Sequence, residues 1–589
     1  MIRTLPLLTG LLLCLAHPII CFAYFRIAVP LYGDAVFGFH FDKVILAAAS
    51  LAALVPIRVK KPQLIIGLLL AALPYTSHGA AVLTSRRGDP AWGPVITHVL
   101  TIAPIVFLSS RAVLGSDAST PTIRLTSGAA LVAVLSAYHL SHLPSLVGSL
   151  LSQSGVFDST LLSTSAGVLL ALDASAFVQL SAARDKKKKQ KDTTPPSQSN
   201  WHPVAAFWLF LLPWLYVTPL FLHAPVLHKP LQGSYQHPTL PVRILSAEQS
   251  ITGTIVVGEG LRGDPALNMS RTMQDVRYLR ADHSIIGGVW TGENVHSLDG
   301  MPASRDSQGT TLGDSIYGAF VLQEAARLAF SQKTPDDTGS ALIIGLGAGV
   351  AASAFQKHGL STSIIEIDPA VYTAARTYFG LEEPNPDQVF LEDAGAWVSR
   401  RAALHREGDD VFDIVVHDCF SGGGVPEHIF TIDFWTGLKT IMNPEGVLAV
   451  NFAGIPASSS SRAILLTLEK VFGTCRAFHD MFEELKEPAY ATEFINIVFF
   501  CSPSGSRIHF RSSRLADYLN SPLRQHVLGT LFDREVNLNL IKKDLSEEEA
   551  GKLILTKENN PLNRWQAAEA LHHWSVMREV LSDFFWETY

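Results

Sequence analysis

A chain of 589 residues is too long for one ordinary domain, so at least two units are expected. Hydrophobic residues make up 48% and charged residues 17%, lean in charge for a soluble protein, and a net charge of -7 carries no nucleic-acid footprint. The five cysteines, Cys14, Cys21, Cys419, Cys475 and Cys501, show no paired short spacing, which argues for neither a zinc site nor a disulfide framework.

Long apolar runs crowd the stretch before Leu227, and charges concentrate after Pro230. A helix needs roughly 17–25 apolar residues to cross a bilayer. Candidate spans are 5–25, 44–57, 64–83, 94–113, 125–150, 161–180 and 204–227, which makes 1–230 a multi-pass region set in a lipid bilayer. The first run, with Arg3 ahead of it and Cys21-Phe22-Ala23 at its end, reads as a retained helix or a cleaved signal peptide; the spans behind it favour the helix.

Basic residues follow the second, fourth and sixth candidates: Arg58, Lys60 and Lys61; Arg111 and Arg124; Arg184 with the lysines at 186–189 and 191. In a simple zigzag these gaps share one side, which the positive-inside rule makes cytoplasmic. The last gap, a basic loop over 184–200, ends in a polar stretch with Pro195 and Pro196 and reads as disordered. If 204–227 crosses fully, whatever follows lies opposite the lysines. If it turns back at Pro213, Pro219 or Pro225, the following domain stays cytosolic, which is the side expected. Glycosylation of the sequon Asn268-Met269-Ser270 would overturn that expectation. Asp173, His139 and His142 read as interhelical hydrogen-bonding groups, since no second acid supports a proton relay.

After a linker at 231–249 the texture changes to an α/β domain over 250–520 and a helical tail over 521–589. Short strands at 254–257, 276–281 and 285–290 predict a small antiparallel sheet, followed by an amphipathic helix over 317–330. An apolar strand at 341–344 then runs into Gly345-Leu346-Gly347-Ala348-Gly349 and a helix over 351–358. Glycines there permit a tight turn and close approach of a ligand to the backbone. The next strand, 362–367, carries Glu366 at its end, placed to hold both hydroxyls of a ribose.

Strand and helix keep alternating: strands at 389–391 and 412–416 end in Asp393-Ala394 and His417-Asp418, and 446–452 forms a fifth. Two later strands, 495–501 and 506–510, are expected to close the sheet antiparallel. The fold class is a doubly wound α/β sheet behind an α-helical membrane region, with polar residues at the strand ends where ligands bind. NAD would use the same first loop, but carboxylates at further strand ends suit a nucleoside lying across the sheet edge, and no group for hydride chemistry stands out. Cys419 reads as a buried thiol and His417 as a substrate-side group. The glycines at 422–424 read as a lid or as a plain loop.

These motifs resemble the spermidine and spermine synthases, aminopropyltransferases of class I methyltransferase-like fold with a seven-stranded mixed sheet. The likeness covers about 249–502. Residues 250–257 resemble the family's strand opening, and Phe320-Val321-Leu322-Gln323-Glu324 its tyrosine-glutamine helix. The resemblance implies cofactor binding by Gly345, Gly347, Gly349, Glu366, Asp393 and Ala394, and substrate binding by Gln323 and Ser421. It makes Asp418 the catalytic aspartate, followed by Pro426-Glu427 and Phe430 of the same motif. Leu555-Thr556 and Asn560-Pro561-Leu562 resemble an element of membrane-fused members.

The implied cofactor is decarboxylated S-adenosylmethionine or S-adenosylmethionine itself, with no metal. The implied partners are a small-molecule amine and a second copy in a homodimer, in polyamine metabolism. Four positions depart from the family pattern. Ala348 stands where an aspartate holds the amine end of the decarboxylated cofactor, Ser421 replaces a second acid, Leu322 a tyrosine and Gly253 a glutamine. Losing two carboxylates removes charge complementarity to a polyamine and opens methyl transfer to a membrane-proximal acceptor as an alternative. A ligand sensor without turnover is the third reading.

Overall fold

A computed structural model describes residues 5–55, 57, 59, 61–114, 158–189, 203–221, 227, 230–262, 274–301, 304–329, 339–420 and 423–589. The chain divides into two compact units, one over Met1–Lys229 and one over Pro230–Glu587.

The first unit is helical, with long elements at Leu5–Tyr32, Pro62–Ser85, Asp158–Lys189 and Pro203–Phe221. Among the described residues, two stretches can cross a membrane by length and composition, Asp34–Ala52 and Pro62–Ser85, and Val204–Tyr216 is a shorter apolar helix. The pair Trp92–Leu100 and Ile102–Ala112, bent by 45°, makes a third if taken as one span. The expected span at 125–150, with His139 and His142, lies outside the described residues. Gly67 lets Pro62–Ser85 approach Asp158–Lys189, because a Cβ there would meet the Leu170 side chain at 2.8 Å. Asp173 faces a partner across helices, its Oδ2 3.5 Å from Nζ of Lys61.

The second unit opens with a five-stranded antiparallel sheet in the order β1-β2-β3-β4-β5: β1 Tyr235–Gln236, β2 Val242–Ser250, β3 Gly253–Gly260, β4 Val276–Ala281 and β5 Ser284–Trp290. The stretch 231–249, expected as linker, is therefore largely sheet. A bulge between Ile244 and Ser246 breaks the alternation of β2 and hides it from a period-two reading. Inside this sheet Arg277 is fully buried and ties three acceptors together. It donates to Glu259 Oε1 at 2.7 and 2.9 Å, to Asp306 Oδ2 at 2.5 Å and to the carbonyl of Tyr378 at 2.7 Å. A short hairpin follows, β6 Ser304–Arg305 and β7 Thr311–Leu312.

The main sheet comprises β8 Ser340–Ile344, β9 Ser361–Ile365, β10 Val389–Phe390, β11 Phe412–His417, β12 Met442–Gly454, β13 Cys475–His479 and β14 Ile495–Cys501. Its order is β10-β9-β8-β11-β12-β14-β13; the strands from β10 through β12 run parallel, and β14 runs antiparallel to β12. The strand order reverses between β8 and β11, so a crevice opens there at the carboxyl ends. One face of the sheet packs Leu342, Val415 and Val450 against Trp435 and Leu465. The other packs Ile343, Val416 and Val498 against Leu322 and Phe355.

Three expectations are corrected. The stretch 317–330 is not one helix but a short α turn, Gly318–Leu322, continued as 3-10 turns over Gln323–Leu328. Residues 506–510 are not a sheet strand, since Phe510 only bridges Ala329; the edge place belongs to β13. Cys475 and Cys501 form a disulfide, being directly opposed in the register of β13 and β14 although 26 residues apart. Spacing along a chain carries no information about such cross-strand pairing.

Candidate active site

The loop after β8 is shaped by contacts only glycine can make. Gly345 has φ of 83°, and a Cβ there would lie 2.1 Å from the carbonyl oxygen of Asp418. Gly347, with φ of 53°, has no room either, the carbonyl of Ile286 standing 2.4 Å from its would-be Cβ. Gly349 then caps the helix Val350–Lys357 in the left-handed region. The loop is thereby pressed against both the end of β11 and the small sheet, leaving backbone edges for a ligand.

Glu366 follows β9. Its Oε2 accepts from the backbone N–H of Leu346 and its Oε1 from that of Asp368, both at 2.8 Å. Burial pushes its carboxyl up to about 7 against the pull of these two N–H groups. Each oxygen keeps a lone pair free for a hydroxyl donor. Asp368, two residues on, accepts from Ser250 Oγ at 2.5 Å, Thr252 Oγ1 at 2.6 Å and Ala370 N at 2.9 Å, so it pins the small sheet to the helix Pro369–Tyr378.

Asp393 sits at the next strand end and caps the helix Ala394–Leu404, accepting from Ala396 N at 2.8 Å. Its other oxygen meets Nε2 of His428 at 2.7 Å, a neighbour the sequence reading did not single out. Ala394 is buried against the core that contains Trp397 and Val398.

Asp418, just past β11, is held from two sides. Gln323 donates through Nε2 to Oδ2 at 2.5 Å, and Asn451, on β12, donates through Nδ2 to Oδ1 at 2.9 Å. Burial raises the Asp418 carboxyl, and the two amides oppose that rise. Asn451 was missed by the sequence reading, although a lone polar residue inside the apolar run Val447-Leu448-Ala449-Val450-Asn451-Phe452 is a visible signal.

The Cys419 thiol donates to the carbonyl of Ile344 at 3.5 Å, and it is pushed well above its ordinary range by burial first and then by the charges of Glu366, Asp418 and Asp393. A thiol so placed is protonated and no nucleophile. His417, expected on the substrate side, instead lies fully buried among the rings of Phe430, Phe434 and Trp435, and burial lowers it to about 3. Adjacent residues of a strand point to opposite faces, so only one of His417 and Asp418 can face the crevice. Ser421 lies outside the described residues. No group of three or more potential metal ligands gathers among the described residues.

A doubly wound sheet with a glycine loop at its switch point and acids at successive strand ends defines a class I methyltransferase-like domain. Residues 329–481 match the spermine/spermidine synthase domain, so this stretch of the chain carries a domain of that kind. The chain is 36% identical over 282 residues to an N-terminal histidine N-methyltransferase from Emericella nidulans, covering 46% of this chain and 49% of the relative. It is 33% identical over 138 residues to a polyamine aminopropyltransferase from Vibrio vulnificus, covering 23% of this chain and 44% of the relative. The chain thus spans about half or less of these relatives. A probable spermidine synthase structure from Corynebacterium glutamicum aligns over 51% of this chain and 95% of that chain, with 15% identity and a TM-score of 0.32.

Proposed function

We propose that this chain is a membrane-anchored transferase that moves the methyl group of S-adenosylmethionine to a nitrogen of its acceptor. The observation that carries the choice of methyl is Ala348. Its side chain is buried, its N–H donates to the carbonyl of Ile286 at 3.3 Å, and Gly287 lies so close that even a Cβ there would come within 2.4 Å of the Ala348 methyl. The family places an aspartate at this position to hold the amine end of the decarboxylated cofactor. An alanine removes repulsion against the carboxylate of S-adenosylmethionine. The methyltransferase relative, which is matched over more of this chain than the aminopropyltransferase, supports the same choice and suggests an N-terminal histidine or a comparable nitrogen as acceptor.

The bound cofactor supplies a sulfonium, whose carbon is open to in-line attack and whose thioether leaves without an acid. The residues do the rest. Gly345, Gly347 and Gly349 give the cofactor its backbone cradle, Glu366 accepts from the ribose hydroxyls, and Asp393 with Ala394 flanks the base. Asp418, set by Gln323 and Asn451, aligns the neutral acceptor nitrogen and takes its proton directly or through water. Ser421 would stand on the substrate side.

Aminopropyl transfer to an amine, in polyamine metabolism, is the second reading, favoured by the Gln323–Asp418 pair that matches the family's substrate side. Calorimetric titration of the purified protein decides between them. Tighter binding of S-adenosylmethionine than of its decarboxylated form is expected, and the reverse order would establish the aminopropyl reading. The multi-pass anchor rests on the apolar helices of Met1–Lys229, and extraction from membranes by detergent but not by alkaline carbonate tests it. The homodimer implied by the family is checked by light scattering in detergent.

A further inference from the structure

The pair Cys475–Cys501 bears on a question that the catalytic site leaves open, namely which side of the membrane the domain works on. The two residues are directly opposed on β13 and β14, 5% and 0% exposed, and bonded to each other inside the core of the main sheet. Structural disulfides form and persist in oxidising compartments and are rare in the cytosol, where thiols are kept reduced. Forming this one takes two protons and two electrons from the thiols and delivers them to a disulfide donor of the compartment, which leaves as a dithiol.

A second, independent observation is the helix Pro203–Phe221. It holds no charged residue over its 19 positions and follows the lysines that end Asp158–Lys189. At about 1.5 Å per residue it is about 28 Å long, close to the roughly 30 Å of a hydrocarbon core. Pro213 and Pro219 lie within the helix rather than ending it. If the lysines stay on the cytoplasmic side, as the positive-inside rule requires, such a helix delivers residue 230 to the opposite side.

We infer that the domain over Pro230–Glu587 faces the lumenal or exoplasmic side of its membrane, with Cys475–Cys501 oxidised. This reverses the cytosolic expectation. Joined to the methyl-transfer reading, on which this last step alone rests, it makes the acceptor a nitrogen of a polypeptide that has itself entered the secretory route, not a cytosolic metabolite.

The test uses the full chain with an epitope after Tyr589, expressed in membranes and isolated as sealed cytosol-side-out vesicles. Protease added outside is expected to spare the epitope until detergent is present. In a second arm, the protein is unfolded in denaturant with a thiol blocker present before any reduction, and peptides are read by mass spectrometry. Cys475 and Cys501 are expected to react only after reduction, while Cys419 reacts before it. Digestion of the epitope in sealed vesicles, or blocking of both thiols ahead of reduction, overturns the inference. Neither readout involves catalysis, so loss of the methyl-transfer reading leaves the sidedness standing.

Discussion

Asn451 donates through Nδ2 to Oδ1 of Asp418 at 2.9 Å, while its own Oδ1, buried in a residue only 6% exposed, has no hydrogen-bond partner among the described residues. The amide orientation follows from the contact, because a carbonyl turned to the carboxylate would set two acceptors face to face. Gln323 performs the matching service on Oδ2. Two neutral donors thus oppose the burial that raises the Asp418 carboxyl, and Asn451 keeps one acceptor ready for an N–H arriving in the cleft.

Replacing Asp418 with Asn keeps the shape and removes the base. A general base contributes about 10²–10⁴-fold. Methyl transfer by Asp418→Asn to a peptide with an N-terminal histidine is therefore expected to lose that factor in kcat. Affinity for S-adenosylhomocysteine, read by calorimetry, should change less than threefold. Equal losses in both would assign Asp418 to cofactor binding instead.

Asn451→Leu removes one of the two donors that oppose the burial-driven rise of the Asp418 carboxyl. A hydrogen bond to a charged group is worth about 1.5–3 kcal/mol, or about one to two pH units at 1.36 kcal/mol each. Asp418 must be ionised to accept a proton, so the acidic limb of the kcat/KM profile should move to higher pH by about that amount. Asn451→Asp, which sets a second carboxylate against the first, should move it further. A profile that stays in place while activity falls would reduce Asn451 to a packing role.

The glycine loop, Glu366 and Asp418 were legible because strand, polar end and helix repeat with a regular period, and the crevice of such a sheet lies where those ends meet. Legibility stopped where three-dimensional register decides. β2 was lost to its bulge, and the Cys475–Cys501 bond to the strand Cys475–His479, which was not among the expected strands. His417 was misplaced because neither its sequence position nor its chemistry states its parity in β11, whereas the rings of Phe430, Phe434 and Trp435 settle it. Gln323 was found by resemblance, but its partner became visible only with the fold.

Glu366 gives the cofactor site a pH dependence. Its carboxyl is raised from 4.5 to about 7 by burial, so in the empty protein the proton is held more firmly than in the unfolded chain. That stabilisation is present below pH 4.5 and is lost as pH rises through about 7. Ribose hydroxyls donate, which favours the ionised form. Affinity for S-adenosylhomocysteine should therefore rise about tenfold from pH 6 to pH 8. Glu366→Gln should bind more weakly at pH 8 and show a flat profile by calorimetry; an unchanged slope would place the titrating group elsewhere.

Gly345→Ala tests the cradle. The new Cβ would stand 2.1 Å from the Asp418 carbonyl, and a φ of 83° strains any L residue. The nearest atoms belong to the Asp418 backbone, which cannot swing aside as a side chain would. The loop must shift away from β11, at a cost of about 1–3 kcal/mol for the φ alone. Loss of measurable S-adenosylhomocysteine binding is expected, together with a lower melting temperature. Gly359→Ala serves as the control, since φ there is also positive, 83°, but no atom lies within 4 Å of its would-be Cβ.

The small sheet depends on Arg277 in a way that can be read without any ligand. Its guanidinium is 1% exposed and bonds two buried carboxylates, Glu259 and Asp306. Burial works to raise the Asp306 carboxyl, yet Arg277 and the N–H of Thr310 bring it below its ordinary range. Arg277→Met keeps the bulk but leaves both acids without this cation in a place water reaches poorly. Breaking a buried pair in this manner costs about 3–5 kcal/mol. Differential scanning calorimetry of the detergent-solubilised protein should show a melting temperature lower by about 10 °C, at about 2–4 °C per kcal/mol for a domain of this class. Adding Asp306→Asn to Arg277→Met should recover part of the loss, because one stranded charge is then gone. Glu259 keeps Arg243 as a partner, so if the double variant is no more stable than the single, the cost does not lie in a stranded Asp306.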